Sequence, residues 1–384
     1  MPAMPFAACT STTVTLSDGR VLVSLGGCNY LGLSHHPAVM GAVAQAIGRF
    51  GLSSTASRET TGNATPHEAL EREAASFLGV PSALLTPDGY IANVAACQGL
   101  AALGIGRAII DSRAHASLRD AAKAAGLRIS LFEHGDVGSL SRELARAKPA
   151  GAAVLTDGVF TADGEPARLR ELLLALDATD VLIVDDCHGL GVLGPGGRGS
   201  ASEAGVDDPR VLITSSLAKG LGCAGGVVAG ARELVGAARR STAYVCTTPI
   251  APAMAEGTRA ALALLRAEPE RVARLRECST LLRARLAALG LVGEREGAAT
   301  PICAFVAGDD ARMGTIRDRL LERGFRAPLI AYPGGPAASY FRVTVCADHT
   351  PAQIESFAAA LREVLGSDIR AGGLTPTPLV QRAG

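Results

Sequence analysis

The sequence predicts an α/β protein: a large domain on a mostly parallel seven-stranded sheet, with a smaller α+β domain C-terminal to it. Three observations carry that expectation. Short apolar runs alternate with helical patterns from about residue 66 to residue 230, the pattern of successive βαβ units. After Pro252 the alternation gives way to long stretches rich in Arg, Ala and Leu. The 384 residues are 48% hydrophobic and 19% charged, with 4% aromatics and no Trp, so a large core of aliphatic side chains and Ala can form. That composition excludes a disordered chain and a small stapled scaffold.

The spacing divides the chain into an N-terminal segment 1–48, a large domain 49–255, a small domain 256–366 and a Gly/Pro-rich tail 367–384, expected to be flexible. The large domain opens on a helix in TPHEALEREAASFLG, with Thr65 as N-cap, Pro66 at N1, Glu68 at N3 and Gly79 as the stop. Strands are expected at SALLT (82–86), RAII (107–110), RISLF (128–132), AAVLT (152–156), VLIVD (181–185), VLITS (211–215) and GVVAG (226–230). Helices such as HASLRDAAKAAG (115–126) and PARLRELLLALDA (166–178) lie between them. The small domain opens on the helical stretch that ends near Leu289. It comprises a strand ICAFV (302–306), a helix 309–324, a strand FRVTV (341–345) and a closing helix from about Pro351 to Leu365.

Lys plus Arg is 37 and Asp plus Glu is 37, so no net field draws the chain to nucleic acid or to an anionic membrane. Of its nine cysteines the two closest, Cys9 and Cys28, are far apart, which fits neither a zinc cluster nor a disulfide framework and points to free thiols in a reducing compartment. The N-terminus lacks a basic region followed by an apolar one, and no apolar run is long enough to span a membrane. A cytoplasmic protein without a metal centre is therefore expected.

Charge is supplied almost entirely by Arg: Lys123, Lys148 and Lys219 are the chain's three lysines. Lys123 and Lys148 fall in or beside amphipathic helical stretches, where a solvated amine is unremarkable in function. Lys219 sits in SSLAKGLGCAGG, a small-residue turn with no helical face to decorate. A desolvated amine forms an imine, which a guanidinium does not. Two dinucleotide-type glycine patterns occur, Gly189, Gly191 and Gly194 in GLGVLG and Gly220, Gly222 and Gly225 in GLGCAG. Neither opens an apolar helix directly after a strand, the context that fingerprint requires.

Polar residues at strand ends are the stronger signal: Asp111, His115, Asp157, Asp185, His188 and Lys219. Parallel strands bring such ends to one edge of the sheet, where open α/β folds bind ligands. A Lys, a buried Asp and a His beside small-residue phosphate loops are the groups of pyridoxal phosphate chemistry, with the Lys forming the Schiff base and the Asp keeping the pyridine nitrogen protonated. Gly89 and Tyr90 begin a helix after TPD, so their N–H groups suit a phosphate, and the Ser216 hydroxyl suits the same phosphate.

The order NYLGLSHHP (29–37), ASRETTGNATPHEALE (56–71), DGYIAN, HASL (115–118), TDGVFTADGE (156–165), VDDCHGLGVLGPGGRG (184–199), SLAKGLGCAGG (216–226) and FRVTVCADHT (341–350) resembles the α-oxoamine synthase family across nearly the whole chain. The resemblance implies a fold-type-I pyridoxal phosphate transferase that condenses an α-amino acid with an acyl thioester, from CoA or a carrier protein, releasing CO2 and thiol. It also implies residue roles. Lys219 is matched to the Schiff-base lysine, Asp185 to the partner of the pyridine nitrogen, His188 to that of the phenolic oxygen and His115 to the imidazole stacked on the ring. Asp157 and Thr161 match polar residues near that stack. Arg342 is matched to the arginine that binds the amino-acid carboxylate, and Asn29 to a substrate-side residue. The family's homodimers share active sites across the interface, where Thr248 would reach the partner's cofactor phosphate.

The chain departs from the family pattern in three places. SSTASRETTGN (53–63) replaces a Gly-rich GxGGSR loop, Asp88 replaces a small hydroxyl residue, and Cys187 replaces a common Ala. The altered loop leaves open an amino-acid racemase or aminotransferase on the same scaffold. A non-catalytic partner subunit is disfavoured, because such a subunit typically lacks the lysine.

Overall fold

The computed structural model describes residues 5–147, 151–293, 297 and 299–369, which leaves Lys148 and residues 370–384 of the expected tail outside the described residues. The described residues fold as two compact units: those of 36–161 with 165–269, and those of 5–35 with 162–164 and 270–369.

The larger unit carries the expected seven-stranded sheet. Its order is Ser82–Thr86, Gly226–Gly230, Val211–Ser216, Val181–Asp185, Ala153–Asp157, Arg107–Asp111, Arg128–Phe132. Only Gly226–Gly230 runs antiparallel to its neighbours; the ladders from Val211–Ser216 to Arg128–Phe132 are all parallel. Strand side chains alternate in direction, and the apolar runs are continuous because both faces are covered. Ala108, Ile110, Leu155 and Ile183 pack with helices Gly89–Ala102, Ala116–Ala124 and Arg232–Arg239. Ile109, Val154, Leu182 and Val184 pack on the opposite face with Val137–Ala147 and Leu169–Leu174.

The first helix of this sheet domain, Thr65–Leu78, is capped differently from the sequence expectation. Ala64 is its N-cap. His67 Nδ1 accepts from Ala64 N–H at 3.2 Å, while Nε2 donates to the Ile250 carbonyl at 2.9 Å. The buried His67 imidazole at N3 takes the part expected of the Glu68 carboxylate, accepting from the N-cap N–H, while Ala64 has no side-chain acceptor to offer the first turn.

The domain boundaries also fall elsewhere. Helix Pro252–Ala267 belongs to the larger unit, packed on Pro37–Phe50 and Thr65–Leu78. The N-terminal segment is split. Short strands Phe6–Cys9, Thr13–Leu16 and Val21–Ser24 form a sheet with Phe325–Arg326 in the smaller unit. Four-residue strands offer too few alternating positions to be read from periodicity. The same unit holds Ile302–Phe305, Tyr340–Thr344 and Leu329–Ile330, with helices Glu270–Ala288, Asp310–Glu322 and Pro351–Ile369 around a core of Phe305, Phe341, Phe357 and Leu361. The closing helix thus runs past Leu365, into the stretch expected to be tail.

Candidate active site

Parallel register puts Asp157 beside Asp185 at the ends of adjacent strands. These ends and the turns after them line a cavity of 210 Å³. Nine residues expected from the sequence meet there: Gly89, Tyr90, His115, Asp157, Thr161, Asp185, His188, Ser216 and Lys219. Asp88 and Cys187, two of the departures from the family pattern, also line it, as do Ser117 and Val159.

Lys219 Nζ lies 2.9 Å from His188 Nε2. Asp185 is buried; Asn93 Nδ2 donates to its Oδ2 at 2.7 Å and Cys187 N–H to its Oδ1 at 3.1 Å. Asn93 also donates to Ser117 Oγ at 2.9 Å and accepts from Thr214 Oγ1 at 2.5 Å. Ser117 Oγ is 2.7 Å from His115 Nδ1, and Ser117 N–H donates to the same nitrogen at 3.2 Å. Burial outweighs the attraction of Asp185 and holds the His115 imidazole below its ordinary pKa. Burial and the neighbouring Asp185 push the Asp157 carboxyl well above the carboxylate range. Asp157 Oδ1 accepts the His115 N–H at 3.0 Å, but its buried Oδ2 has no hydrogen-bond partner among the described residues. Burial likewise pushes the Cys187 thiol far up, so this side chain is a neutral wall and no nucleophile.

Helix Gly89–Ala102 points its N-terminus at this cavity. Its first intrahelical bond is Ala92 N–H to Asp88 O, and the Asp88 side chain caps Ile91 N–H at 2.8 Å, so the N–H groups of Gly89 and Tyr90 precede the helical ladder. A Cβ on Gly89 would lie 3.0 Å from both Cys187 Sγ and Ser216 Cβ, which is why the turn takes glycine. The GLGVLG pattern has a different purpose. Gly189, with Gly158 and Gly199, closes around the buried Asp186 carboxylate, where a Cβ would collide with Asp186 Oδ atoms. Ser200 N–H donates to Asp186 Oδ2 at 2.9 Å, and Ser200 Oγ bonds Oδ1. The second pattern leads into strand Gly226–Gly230.

Asp111, expected among the converging residues, is diverted. It sits 2.9 Å from His134 Nδ1 and accepts from Arg113 N–H at 2.9 Å. Thr248 is exposed in the loop before Pro252. Asn29 and Arg342 lie in the smaller unit: Asn29 Oδ1 accepts from Ser34 N–H at 3.2 Å, and the half-buried Arg342 guanidinium bonds Tyr30. In the altered loop Thr55 adopts a left-handed backbone, and Arg58 pairs with Glu71. Sequence reasoning misses Asn93 and Ser117. The available signal is a lone Asn buried among Ala92, Val94, Ala95 and Ala96.

A lysine amine beside an imidazole, a carboxylate fixed by two donors, a second imidazole, a buried carboxyl with one oxygen still without a partner among the described residues and a helix N-terminus are the groups pyridoxal phosphate requires, so the residues fit that cofactor. With the sheet order above, they define a fold-type-I pyridoxal phosphate enzyme. Residues 20–361 match the family described as aminotransferase class I and II. The chain is 40% identical to the 8-amino-7-oxononanoate synthase of Methylococcus capsulatus, with 92% of each covered, and 37% identical to that of Thioalkalivibrio sulfidiphilus, with 91% of this chain and 90% of that one covered. Among solved structures it is similar to a serine palmitoyltransferase variant from S. paucimobilis with a bound PLP–myriocin aldimine, at TM-score 0.88 and 26% identity over 95% of this chain and 92% of that one. Sphingomonas wittichii serine palmitoyltransferase gives TM-score 0.87 and 28% identity, with the same shares covered. The chain belongs to the aminotransferase class I and II family and, within it, to the pyridoxal-phosphate-dependent α-oxoamine synthases.

Proposed function

We propose that this chain condenses a small α-amino acid with an acyl thioester, giving an α-oxoamine, CO2 and free thiol, in a homodimer whose two active sites are shared. The observation that carries the reading is the approach of Lys219 Nζ to His188 Nε2 in a cavity also lined by Asp185 and His115. When bound, the cofactor supplies a sink for the electron pair left at the amino acid's α-carbon.

Every other step belongs to the chain's own residues. The Lys219 amine anchors the cofactor, then takes the α-proton and later returns it. Asp185, held by Asn93 and Cys187 N–H, keeps the pyridine nitrogen protonated. His188 holds the phenolic oxygen, while His115 lies against the ring and turns a donor toward the thioester carbonyl. Asp157 and Thr161 support that stack. Gly89 and Tyr90 N–H groups and the Ser216 hydroxyl bind the phosphate, with Thr248 contributed to the partner's phosphate. Arg342 pairs in a fork with the amino-acid carboxylate, and Asn29 approaches the substrate.

The product named for the similar synthases guides the choice of substrates. Dividing 8-amino-7-oxononanoate between its ketone carbon and its amine-bearing carbon leaves a seven-carbon acyl group ending in a carboxylate and a methyl-bearing amine fragment, which is alanine after decarboxylation. That pair heads the panel for assay. The nine cysteines are free, and among the described residues no helix is long and apolar enough to cross a membrane, which supports a cytoplasmic setting.

Borohydride reduction of the cofactor-loaded protein, followed by peptide mapping, is expected to leave the pyridoxyl group on Lys219. Recovery on Lys123 or Lys148 would remove the assignment. Alanine with acyl-CoA and acyl-carrier thioesters is expected to release thiol and CO2 in equal amounts. Racemisation or amino transfer without thiol release would overturn the condensation.

A further inference from the structure

We propose that Ser117 and Asn93 are positioning residues which, working from the Asp185 carboxylate, lock His115 in the neutral tautomer that carries its proton on Nε2. The proposal rests on the pyridoxal phosphate reading of the cavity and extends it from the hold of Asn93 on Asp185 to the state of His115.

The hydrogen-bond directions follow one from another. A carboxylate only accepts, so the Asn93 atom 2.7 Å from Asp185 Oδ2 is the amide nitrogen. Asn93 Oδ1 therefore faces Thr214 Oγ1, which donates to it. The second Asn93 amide proton goes to Ser117 Oγ, 2.9 Å away. That oxygen is then an acceptor on the Asn93 side, and its own proton is directed to His115 Nδ1 at 2.7 Å. Ser117 N–H reaches the same nitrogen at 3.2 Å. With two donors converging on it, Nδ1 holds a lone pair, and the neutral ring's proton is on Nε2. Asn93 and Ser117 are buried, so water does not offer competing partners for the chain.

The arrangement has a chemical use. A neutral Nε2–H donor stabilises negative charge developing on an oxygen, such as that of a thioester carbonyl under attack, without adding a positive charge beside Lys219. The charged groups that face the ring are Asp185, Lys219 and Asp120. The lowered pKa of His115 agrees with an imidazole that stays neutral as they change state.

The test is the nitrogen NMR spectrum of the cofactor-loaded enzyme with labelled histidine at pH 7.5, His115 being assigned by its loss in His115→Gln. In the wild type, His115 Nδ1 is expected at the unprotonated shift and Nε2 at the protonated one. Ser117→Ala is expected to mix the two tautomers and to lower kcat about tenfold, the effect of one hydrogen bond. Ser117→Thr, which keeps the hydroxyl, restores the wild-type spectrum. A proton on Nδ1 in the wild type, or a Ser117→Ala spectrum identical to the wild type, would overturn the proposal. Should no thioester yield thiol, the condensation reading fails while the tautomer result stands by itself.

Discussion

Two histidines stand near aspartates at the same edge of the sheet and are driven in opposite directions. His115 is linked to Asp185 through Ser117 and Asn93, and its imidazole is held below its ordinary pKa. His134 meets Asp111 directly, with Nδ1 at 2.9 Å from one carboxylate oxygen and 3.1 Å from the other, while Nε2 lies 3.8 Å from Glu165. Burial opposes charge on His134, yet the hydrogen bond to Asp111, the nearby Glu165 carboxylate and the Asp111 charge lift its pKa to about 9. Contact decides the outcome. A carboxylate touching an imidazole fixes the cation, whereas one relayed through an amide and a hydroxyl fixes a tautomer of the neutral ring. The cation has a structural task as well, because its ring packs edge-on against Phe160, between the cavity-lining Val159 and Thr161.

The largest effect is expected at the relayed end. Asp185→Asn keeps an oxygen for Asn93 or for Cys187 N–H, so the protein should fold and hold cofactor. A neutral partner no longer keeps the pyridine nitrogen protonated, and turnover should fall by several orders of magnitude. Near-normal turnover would show that the Asp185 branch is no more functional than the Asp111 one.

A smaller effect is expected at the contact pair and appears in stability. The folded pKa of His134 lies above the unfolded value of about 6.5, so its contribution is fully present below pH 6.5 and is lost as pH rises through about 9. Urea midpoints of the wild type should fall across that window, and those of His134→Gln should fall less. Equal slopes for the two proteins would dissolve the contrast between the histidines.

The extent to which each histidine is readable in the sequence follows from the same physics. The sheet and the strand-end set are legible because buried parallel strands leave unbroken apolar runs such as VLIVD, and because polar residues interrupt them at their C-terminal ends. Lys219 stands out because the chain is so poor in lysine. Direction is not legible: Asp111 and Asp185 occupy equivalent strand ends, and only the tertiary contacts with His134 and Asn93 separate them. The placement of helix Pro252–Ala267 escapes the sequence for a related reason, since it depends on partners distant in the chain, whereas the three N-terminal strands pair largely with one another and escape because they are short. Asn93 falls inside the DGYIAN motif with no role of its own to read, as its three partners come from three other segments.

The smallest expected effect is at Asp186, which adjoins Asp185 and belongs to neither histidine network. Burial raises its carboxyl to about pH 7, with the two Ser200 donors pulling the other way. A carboxyl raised in the fold contributes stability that is present below the unfolded value, near 3.8, and is lost as pH rises through 7. Asn at this position has the same shape, which the close approach of Gly158, Gly189 and Gly199 demands. Its oxygen can take Ser200 N–H while its amide donates to Ser200 Oγ. Asp186→Asn, which carries no such titration, should therefore gain on the wild type by roughly 3 kcal/mol between pH 5 and pH 8, about 1.4 kcal/mol for each pH unit up to 7. Urea denaturation at the two pH values measures this, and turnover should stay within about twofold of wild type. A loss of turnover comparable to that of Asp185→Asn would mean that the Asp186 loop acts on the cavity chemistry, and the division between the two adjacent aspartates would have to be redrawn.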